Sequence, residues 1–315
     1  MNCYCCGKPL QSDNENGWHM ACIRRFFGTK VLPQIEIDDN TLEQIANENT
    51  HRRITVPGVQ KKMSLSLCSE GRTPRLTLVN YPSGYILKPQ VDEFECLPEA
   101  EQLVMSMAER TGISTVPHAL IREKGTAAYI TKRIDRISDE TGVKKLAMED
   151  FCQLDLRITE DKYRGSYERC AKVINRYSSR PQYDMTELFI RLVFSFVVGN
   201  SDMHLKNFSL IENKVASGIY VLSPAYDLLP VNVIMPEDTE IFALAMNGKK
   251  TNIRRKDFLV FARECGIPEA AANKMIARVV SLRDVYQDLC VSSLLTPRLK
   301  EQLSKLVNER CDILG

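Results

Sequence analysis

The segment from Leu188 to Val198 is very apolar, and it runs into a mostly polar stretch, Gly199-Asn200-Ser201-Asp202-Met203-His204-Leu205-Lys206-Asn207. A short apolar run, Phe208-Ser209-Leu210-Ile211, comes next. This order predicts a buried helix that delivers a polar loop, with a strand leaving it. A helix of that kind needs a large core around it. With 315 residues the chain can build one, as a single two-lobed domain or as two ordinary ones.

Asp202 and Asn207 stand in a D-x-x-x-x-N spacing. In a kinase catalytic loop that spacing supplies an Asp to accept a substrate hydroxyl proton and an Asn to hold magnesium. A second carboxylate, Asp227 in Ser223-Pro224-Ala225-Tyr226-Asp227, comes after the next apolar run, Gly218 to Leu222, where a kinase places its main metal-binding Asp. A polar turn whose Asp and Asn only cap backbone groups has the same spacing. The downstream Asp and the features upstream weigh toward phosphoryl transfer.

Composition narrows the remaining classes. Residues are 44% hydrophobic and 26% charged, as in ordinary globular chains. A net charge of +2 argues against electrostatic nucleic-acid binding by the chain as a whole. The run near Leu188–Val198 is interrupted by Arg191 and Ser195, too short and too polar for a membrane span. Met1-Asn2-Cys3-Tyr4-Cys5-Cys6 lacks the regions of a signal peptide. The 11 cysteines lie mostly in apolar segments, which predicts reduced thiols and a cytoplasmic protein.

Cys3-x-x-Cys6 and His19-x-x-Cys22 form two closely spaced pairs. Four such ligands can close a tetrahedron around a structural zinc ion, with Cys5 as a competing ligand. A frayed terminus with incidental cysteines is the plainer alternative.

Further on, Arg53-Ile54-Thr55-Val56-Pro57-Gly58-Val59-Gln60-Lys61-Lys62 leads into an alternating strand, Met63-Ser64-Leu65-Ser66-Leu67. A glycine-containing loop before a strand can lay backbone N–H groups on phosphates. Thr41 to Asn47 has the spacing of a short helix. Tyr85-Ile86-Leu87-Lys88-Pro89 reads as a strand ending in a lysine able to reach α- and β-phosphates. Glu99 to Arg110 reads as an amphipathic helix capped by Gly112. Glu101 is the candidate partner for Lys88, with Glu95 and Glu99 as alternatives. A hairpin comes next, at Ala119–Arg122 and Ala127–Thr131, and the chain leaves it through Lys132-Arg133-Ile134-Asp135-Arg136.

Taken together these motifs resemble the HipA family of bacterial serine/threonine kinase toxins. Thr55 to Lys62 looks like the family's phosphate loop, Tyr85 to Pro89 its lysine strand, and Lys132 to Arg136 its hinge. Glu149-Asp150-Phe151-Cys152-Gln153 looks like a signature of its larger lobe, Asn200 to Ser209 its most specific motif, and Pro224-Ala225-Tyr226-Asp227 its metal motif. The resemblance implies an α+β, bilobal, protein-kinase-like fold. Its expected divisions are a zinc module at 1–28, a small β-rich lobe at 29–133 and a mostly helical lobe at 134–315. It also implies ATP and magnesium, phosphorylation of a protein such as an aminoacyl-tRNA synthetase, and a helix-turn-helix antitoxin through which DNA is met only indirectly. The chain looks like the short, HipT-like form, whose missing N-terminal subdomain is a separately encoded polypeptide. Thr55 stands where the family autophosphorylates a serine, and Ser64 and Ser66 are nearby alternatives. Pro57 removes one backbone donor from the loop.

Each matched residue then has an expected role. Asp202 is the base, and Asn207 and Asp227 hold magnesium. Lys88, paired with Glu101, braces the phosphates, and Lys206 and His204 attend the γ-phosphate. Pro57, Gly58, Val59, Gln60, Lys61 and Lys62 cover the nucleotide. Lys132, Arg133 and Ile134 seat adenine, and Tyr226, within the metal motif, is expected among the cofactor-binding residues. Thr159 to Ser179, where tyrosines interleave with lysines and arginines, reads as a solvated loop and helix, with contact to nucleic acid as the alternative. Asp184 is expected to cap the helix Met185–Val198, Glu240–Met246 to form a strand, and Asn247 to Lys250 a basic turn near phosphates or substrate. Lys256–Cys265, Glu269–Leu289 and Thr296–Ile313 read as three helices. Two rival readings are an inactive kinase-like subunit of an antitoxin–operator complex and, more remotely, a zinc-dependent nucleic-acid binder.

Overall fold

The computed structural model describes residues 1–10, 16–36, 62–68, 73–77, 84–123, 126–139 and 142–315. The phosphate-loop residues Thr55, Pro57, Gly58, Val59, Gln60 and Lys61, and the expected helix at 41–47, lie outside these. The chain divides into two compact units. One is Met1–Gln102 with Val116–Ile134, and the other is Leu103–Thr115 with Asp135–Gly315.

The first unit is built on a six-stranded sheet. Its strands are β1 (Gln34–Glu36), β2 (Met63–Cys68), β3 (Arg75–Thr77), β4 (Tyr85–Pro89), β5 (His118–Glu123) and β6 (Thr126–Lys132), in the order β1-β3-β2-β4-β6-β5. The pairings are antiparallel except β1 with β3. Side chains alternate across a strand. On β4 this sends Tyr85 and Leu87 to one face and Lys88 to the other. Tyr85 meets Phe26 and Phe27 of helix α1 (Met20–Phe27), which also pack on the fully buried Trp18. On the Lys88 face lies the start of helix α2 (Leu97–Thr111), where Gln102 is bonded to His118 at 2.8 Å.

The N-terminal residues are part of this unit. The main-chain N–H of Leu120, on edge strand β5, donates to the Tyr4 carbonyl at 3.1 Å, and Arg122 Nε donates to the Tyr4 hydroxyl at 2.8 Å. An open strand edge is thereby partly covered.

The second unit surrounds helix α5. In order it contains the hairpin β7 (Arg136–Asp139) and β8 (Gly142–Lys145), strand β9 (Met148–Asp150), and helices α3 (Phe151–Leu154), α4 (Tyr167–Tyr177) and α5 (Pro181–Val198). Strands β10 (Ser209–Glu212) and β11 (Tyr220–Leu222) come next. Helices α6 (Val231–Ile234), α7 (Arg255–Glu264), α8 (Glu269–Ser281), α9 (Arg283–Ser292) and α10 (Pro297–Leu314) complete it. Strands β9, β10 and β11 form an antiparallel sheet with β10 central. Helix α5 is apolar nearly all round and buried accordingly. Phe189 and Phe196 meet Phe258, and Phe194 meets Tyr286.

Three expectations change here. Helix α5 starts earlier, with Pro181 in its first turn, so Asp184 lies inside the helix rather than capping it. Its buried carboxylate accepts from Leu222 N, Ser178 Oγ and Arg180 Nε at 2.7, 2.6 and 2.9 Å, tying β11 to the helix. Glu240–Met246 is not a strand, because only isolated bridges form there, Ala245 with Ser166 and Met246 with Lys249. The single helix expected over Glu269–Leu289 is two, α8 and α9, broken at Leu282.

Candidate active site

Helix α5 ends at Gly199, which takes a left-handed φ of 70°. A Cβ there would come within 2.6 Å of Leu306, so glycine suits both the turn and the space. The loop beyond is fixed mainly through backbone groups. The Asp202 carbonyl accepts from His204 N at 2.8 Å and from Asn207 Nδ2 at 2.7 Å. The Tyr167 hydroxyl donates to Met203 O at 3.1 Å, and Ser201 Oγ donates to Asp238 at 2.6 Å. Asn207 ends a short 3-10 turn, Leu205–Asn207, and is buried.

The side chains then divide their contacts. Asp202 Oδ1 accepts from the Tyr163 hydroxyl at 2.9 Å, and His204 Nε2 lies 4.0 Å from Asp202 Oδ2. Lys206 Nζ donates to Asp150 Oδ2 at 2.6 Å. Asp150 caps α3 with its other oxygen through a reciprocal bond with Gln153. That accounts physically for the Asp and Gln of the Glu149–Gln153 motif. Tyr226 donates its hydroxyl proton to Lys206 O at 3.1 Å and pairs with Ser209 Oγ at 2.6 Å, so Ser209 is the donor in that pair. Burial pushes the Tyr226 phenol well above its ordinary range, which keeps it a donor.

Asp227 sits one residue beyond, half-buried, with a φ of 62°. A non-glycine residue in that region carries strain that its surroundings must hold. The approach to it is well anchored: buried Arg191 donates to Ser223 O at 2.7 Å, and Ala225 N donates to Ser114 O at 2.7 Å. Asn207 and Asp227 offer hard oxygen donors, the ligand type magnesium prefers.

In the first unit, Lys88 Nζ lies 2.5 Å from Glu101 Oε1. Its ammonium also stands over the ring of its cross-strand partner Tyr129, 5.3 Å from the centroid. Of the three candidate glutamates, Glu101 is the one that meets Lys88; burial pushes Glu99 above the ordinary carboxylate range. Lys132 ends β6, and the N–H groups of Lys132 and Arg133 donate to Pro117 O and Gly84 O at 3.0 and 2.8 Å, with Ile134 next. Lys62 is exposed just before β2, and Ser64 on that strand is exposed as well.

Cys3, Cys6, His19 and Cys22 converge, their ligand atoms all within 4.8 Å of one another. His19 turns Nδ1 toward Cys6 Sγ at 3.4 Å and places Nε2 3.1 Å from Pro9 O. A carbonyl on the far nitrogen puts the proton there and aims the other lone pair into the cluster, as metal-binding histidines require. Burial works to raise the Cys3 thiol, but N–H groups of Cys6, His19 and Cys5 outweigh it and bring it down to about 7. Cys5 stands outside the four, taking an N–H from Arg25 at 3.8 Å. The donor set and its orientation fit a closed structural metal site.

One expectation for the larger unit is corrected, and one gains detail. The Thr159–Ser179 stretch is not simply solvated: Tyr163 touches Asp202, and Tyr167 is fully buried. No periodicity could show this, since it depends on Leu205 N reaching back to Lys162 O. In the basic turn, Lys249 pairs with Asp257 at 2.7 Å and Lys250 with Glu240 at 3.2 Å, so both charges are matched by protein carboxylates.

The family model of the HipA-like C-terminal domain matches residues 54–285, most of the chain. The protein belongs to the HipA-like family. Among relatives of this HipA-like chain, "Putative kinase Y4mE" of Sinorhizobium fredii is 30% identical over 236 residues, covering 72% of this chain and 54% of that protein. "Putative kinase" of Haemophilus influenzae is 26% identical over 193 residues, covering 57% and 53% respectively. The HipA-like chain thus spans about half the length of these relatives. HipA of the Shewanella oneidensis MR-1 toxin–antitoxin system, solved with HipB and its operator DNA, superposes with a TM-score of 0.70 at 19% identity over 96% of this chain and 80% of that one. The Helicobacter pylori proinflammatory kinase CtkA gives 0.55 at 15% identity over 84% and 93%. Those two likenesses establish a HipA-like, kinase-like fold. Among the described residues, no helix is long and apolar enough to cross a membrane.

Proposed function

We propose that the protein is an ATP- and magnesium-dependent protein serine/threonine kinase. The observation that carries this reading is the buried Lys88–Glu101 pair. Burying two charges costs several kcal/mol of desolvation per ion, roughly, and a sheet-on-helix packing has no need of it. A strand lysine held by a helix glutamate is the kinase device for the α- and β-phosphates. Asp202 and Asn207 on one loop, with Asp227 beyond β11, supply the remaining groups.

Asp202 would accept the proton of the acceptor hydroxyl. Asn207 and Asp227 would hold magnesium, which neutralises charge on the phosphates. His204 and Lys206 flank the base, Lys132 to Ile134 would receive adenine, and Pro57 to Lys62 would cover the nucleotide. Thr55 is the proposed site of autophosphorylation. The HipB complex of the Shewanella neighbour supports an antitoxin as partner, and a helix-turn-helix protein is its proposed form. A separately encoded subdomain-like protein is a further expected partner. An aminoacyl-tRNA synthetase is the proposed class of target, and the Cys/His cluster is proposed to hold structural zinc.

The test is phosphate transfer from labelled ATP to lysate proteins by the purified chain, compared with Asp202→Asn and Asp227→Ala. Incorporation should disappear in both variants while melting stays unchanged. Substantial retained transfer would overturn the assignment, and ATP binding without transfer by the wild type would favour an inactive, partner-binding subunit.

A further inference from the structure

The contact between Tyr163 and Asp202 is not needed to hold the loop in shape. The Asp202 carbonyl is already bonded by His204 N and Asn207 Nδ2, and neither bond involves its carboxylate. Yet a phenol hydroxyl donates to Oδ1 at 2.9 Å. Burial, then the Asp202 charge, push the Tyr163 phenol well above its ordinary range, so the proton stays on the tyrosine. The ring is held edge-on against His204, centroids 5.1 Å apart, with the Lys162 ammonium 4.8 Å from its centroid. It is only half-buried, so turning its side chain toward solvent would release the carboxylate.

A hydroxyl donating to the base is the contact an acceptor makes before it loses its proton. Resting on the kinase reading above, we propose that Tyr163 occupies the acceptor-hydroxyl position on Asp202, holding Oδ1 against water until a protein serine or threonine displaces it. In the productive step the bond from the γ-phosphorus to the ADP oxygen breaks and a bond to the acceptor oxygen forms. The acceptor proton passes to Asp202 Oδ1. The Asp202 side chain is 37% exposed, so with Tyr163 in place water gains Oδ1 only by displacing the phenol, and ATP hydrolysis is slowed when no protein acceptor is bound. Tyr163 is thus a gating residue that selects the acceptor.

The experiment measures ATP hydrolysis without any protein acceptor, alongside phosphate incorporation into lysate proteins. Tyr163→Phe keeps the ring against His204 and removes only the hydroxyl. Hydrolysis should rise several-fold, increasing the ratio of hydrolysis to protein phosphorylation at unchanged melting. The gain should vanish in Tyr163→Phe/Asp202→Asn. If the wild type labels lysate proteins but Tyr163→Phe hydrolyses ATP no faster, the gate is overturned while the kinase reading stands. A gain that persists without Asp202 overturns it equally. If neither wild type nor variant hydrolyses or transfers phosphate, the kinase reading falls and takes the gate with it.

Discussion

Lys88 and Glu101 form an ion pair with the lysine 3% and the glutamate 0% exposed. Removing one member takes the paired opposite charge from the other in a site out of water, at a cost of about 3–5 kcal/mol. Lys88→Met and Glu101→Leu should therefore each lower stability markedly in denaturant melts. The double variant Lys88→Met/Glu101→Leu should recover much of that loss, because an apolar pair needs no compensation. It should not recover phosphate transfer. Wild-type transfer by the double variant would show the pair to be packing alone.

Asn207 gives its amide N–H to the Asp202 carbonyl, and on the proposed kinase reading its amide oxygen would hold magnesium. Asn207→Asp retains oxygen ligands and loses the donor. It should cost about 1 kcal/mol of stability, the value of one hydrogen bond, and lower kcat more than it changes the magnesium requirement. Asn207→Ala should raise the magnesium concentration needed for half-maximal transfer. Magnesium titrations of both variants check this. An unchanged requirement in Asn207→Ala would leave the residue a loop cap and nothing more.

Asp155 fastens the segment before Tyr163, taking Arg169 Nη2 at 2.6 Å and Arg157 Nε at 2.5 Å. Burial works to raise its carboxyl, but the two arginines outweigh it and hold it below the ordinary carboxylate value. A depressed folded pKa stabilises above the unfolded value, near 3.9, and that contribution fades as pH falls through the folded one. Arg169 is about half exposed, so solvent screens the interaction. Asp155→Asn should thus lose about 1–2 kcal/mol at neutral pH, and its deficit should narrow as the pH drops below 4, roughly. Melts across that range decide it. A deficit that does not change with pH would mean that the charge contributes nothing.

The Cys3, Cys6, His19 and Cys22 cluster should return stoichiometric zinc on metal analysis of the purified chain. A strong chelator, or Cys6→Ser, should lower melting clearly. The helix carrying Phe26 and Phe27 begins just after His19 and packs on Tyr85 of β4. Absence of zinc together with unchanged melting would make the four side chains incidental neighbours.

The parts of this molecule that could be read in the sequence are those whose chemistry repeats or has fixed spacing. Alternation over 63–67 marked β2, a short apolar run ending in a lysine marked the strand holding Lys88, helical periodicity marked α2, and four closely spaced ligands marked the cluster. The apolar run before Gly199 marked the helix that positions Asp202. What escaped depends on contacts between distant segments. Asp184 has the composition of a cap, but Pro181 starts the helix earlier and β11 claims its carboxylate. Tyr163 sits in a charged stretch with no periodicity, and only the path of the chain brings it to Asp202. The break at Leu282 carries neither glycine nor proline to announce it.

The bond between Arg122 and Tyr4 joins residues 118 positions apart. During synthesis the cysteine cluster can close as soon as Cys22 has left the ribosome. The sheet edge and the tyrosine on which that module settles are made much later. Until then Phe26 and Phe27 lack the Tyr85 ring they pack on, so the first part of this chain to be made is also the part that must wait longest for its neighbours. Truncations ending before residue 120 should therefore aggregate rather than yield a soluble metal module.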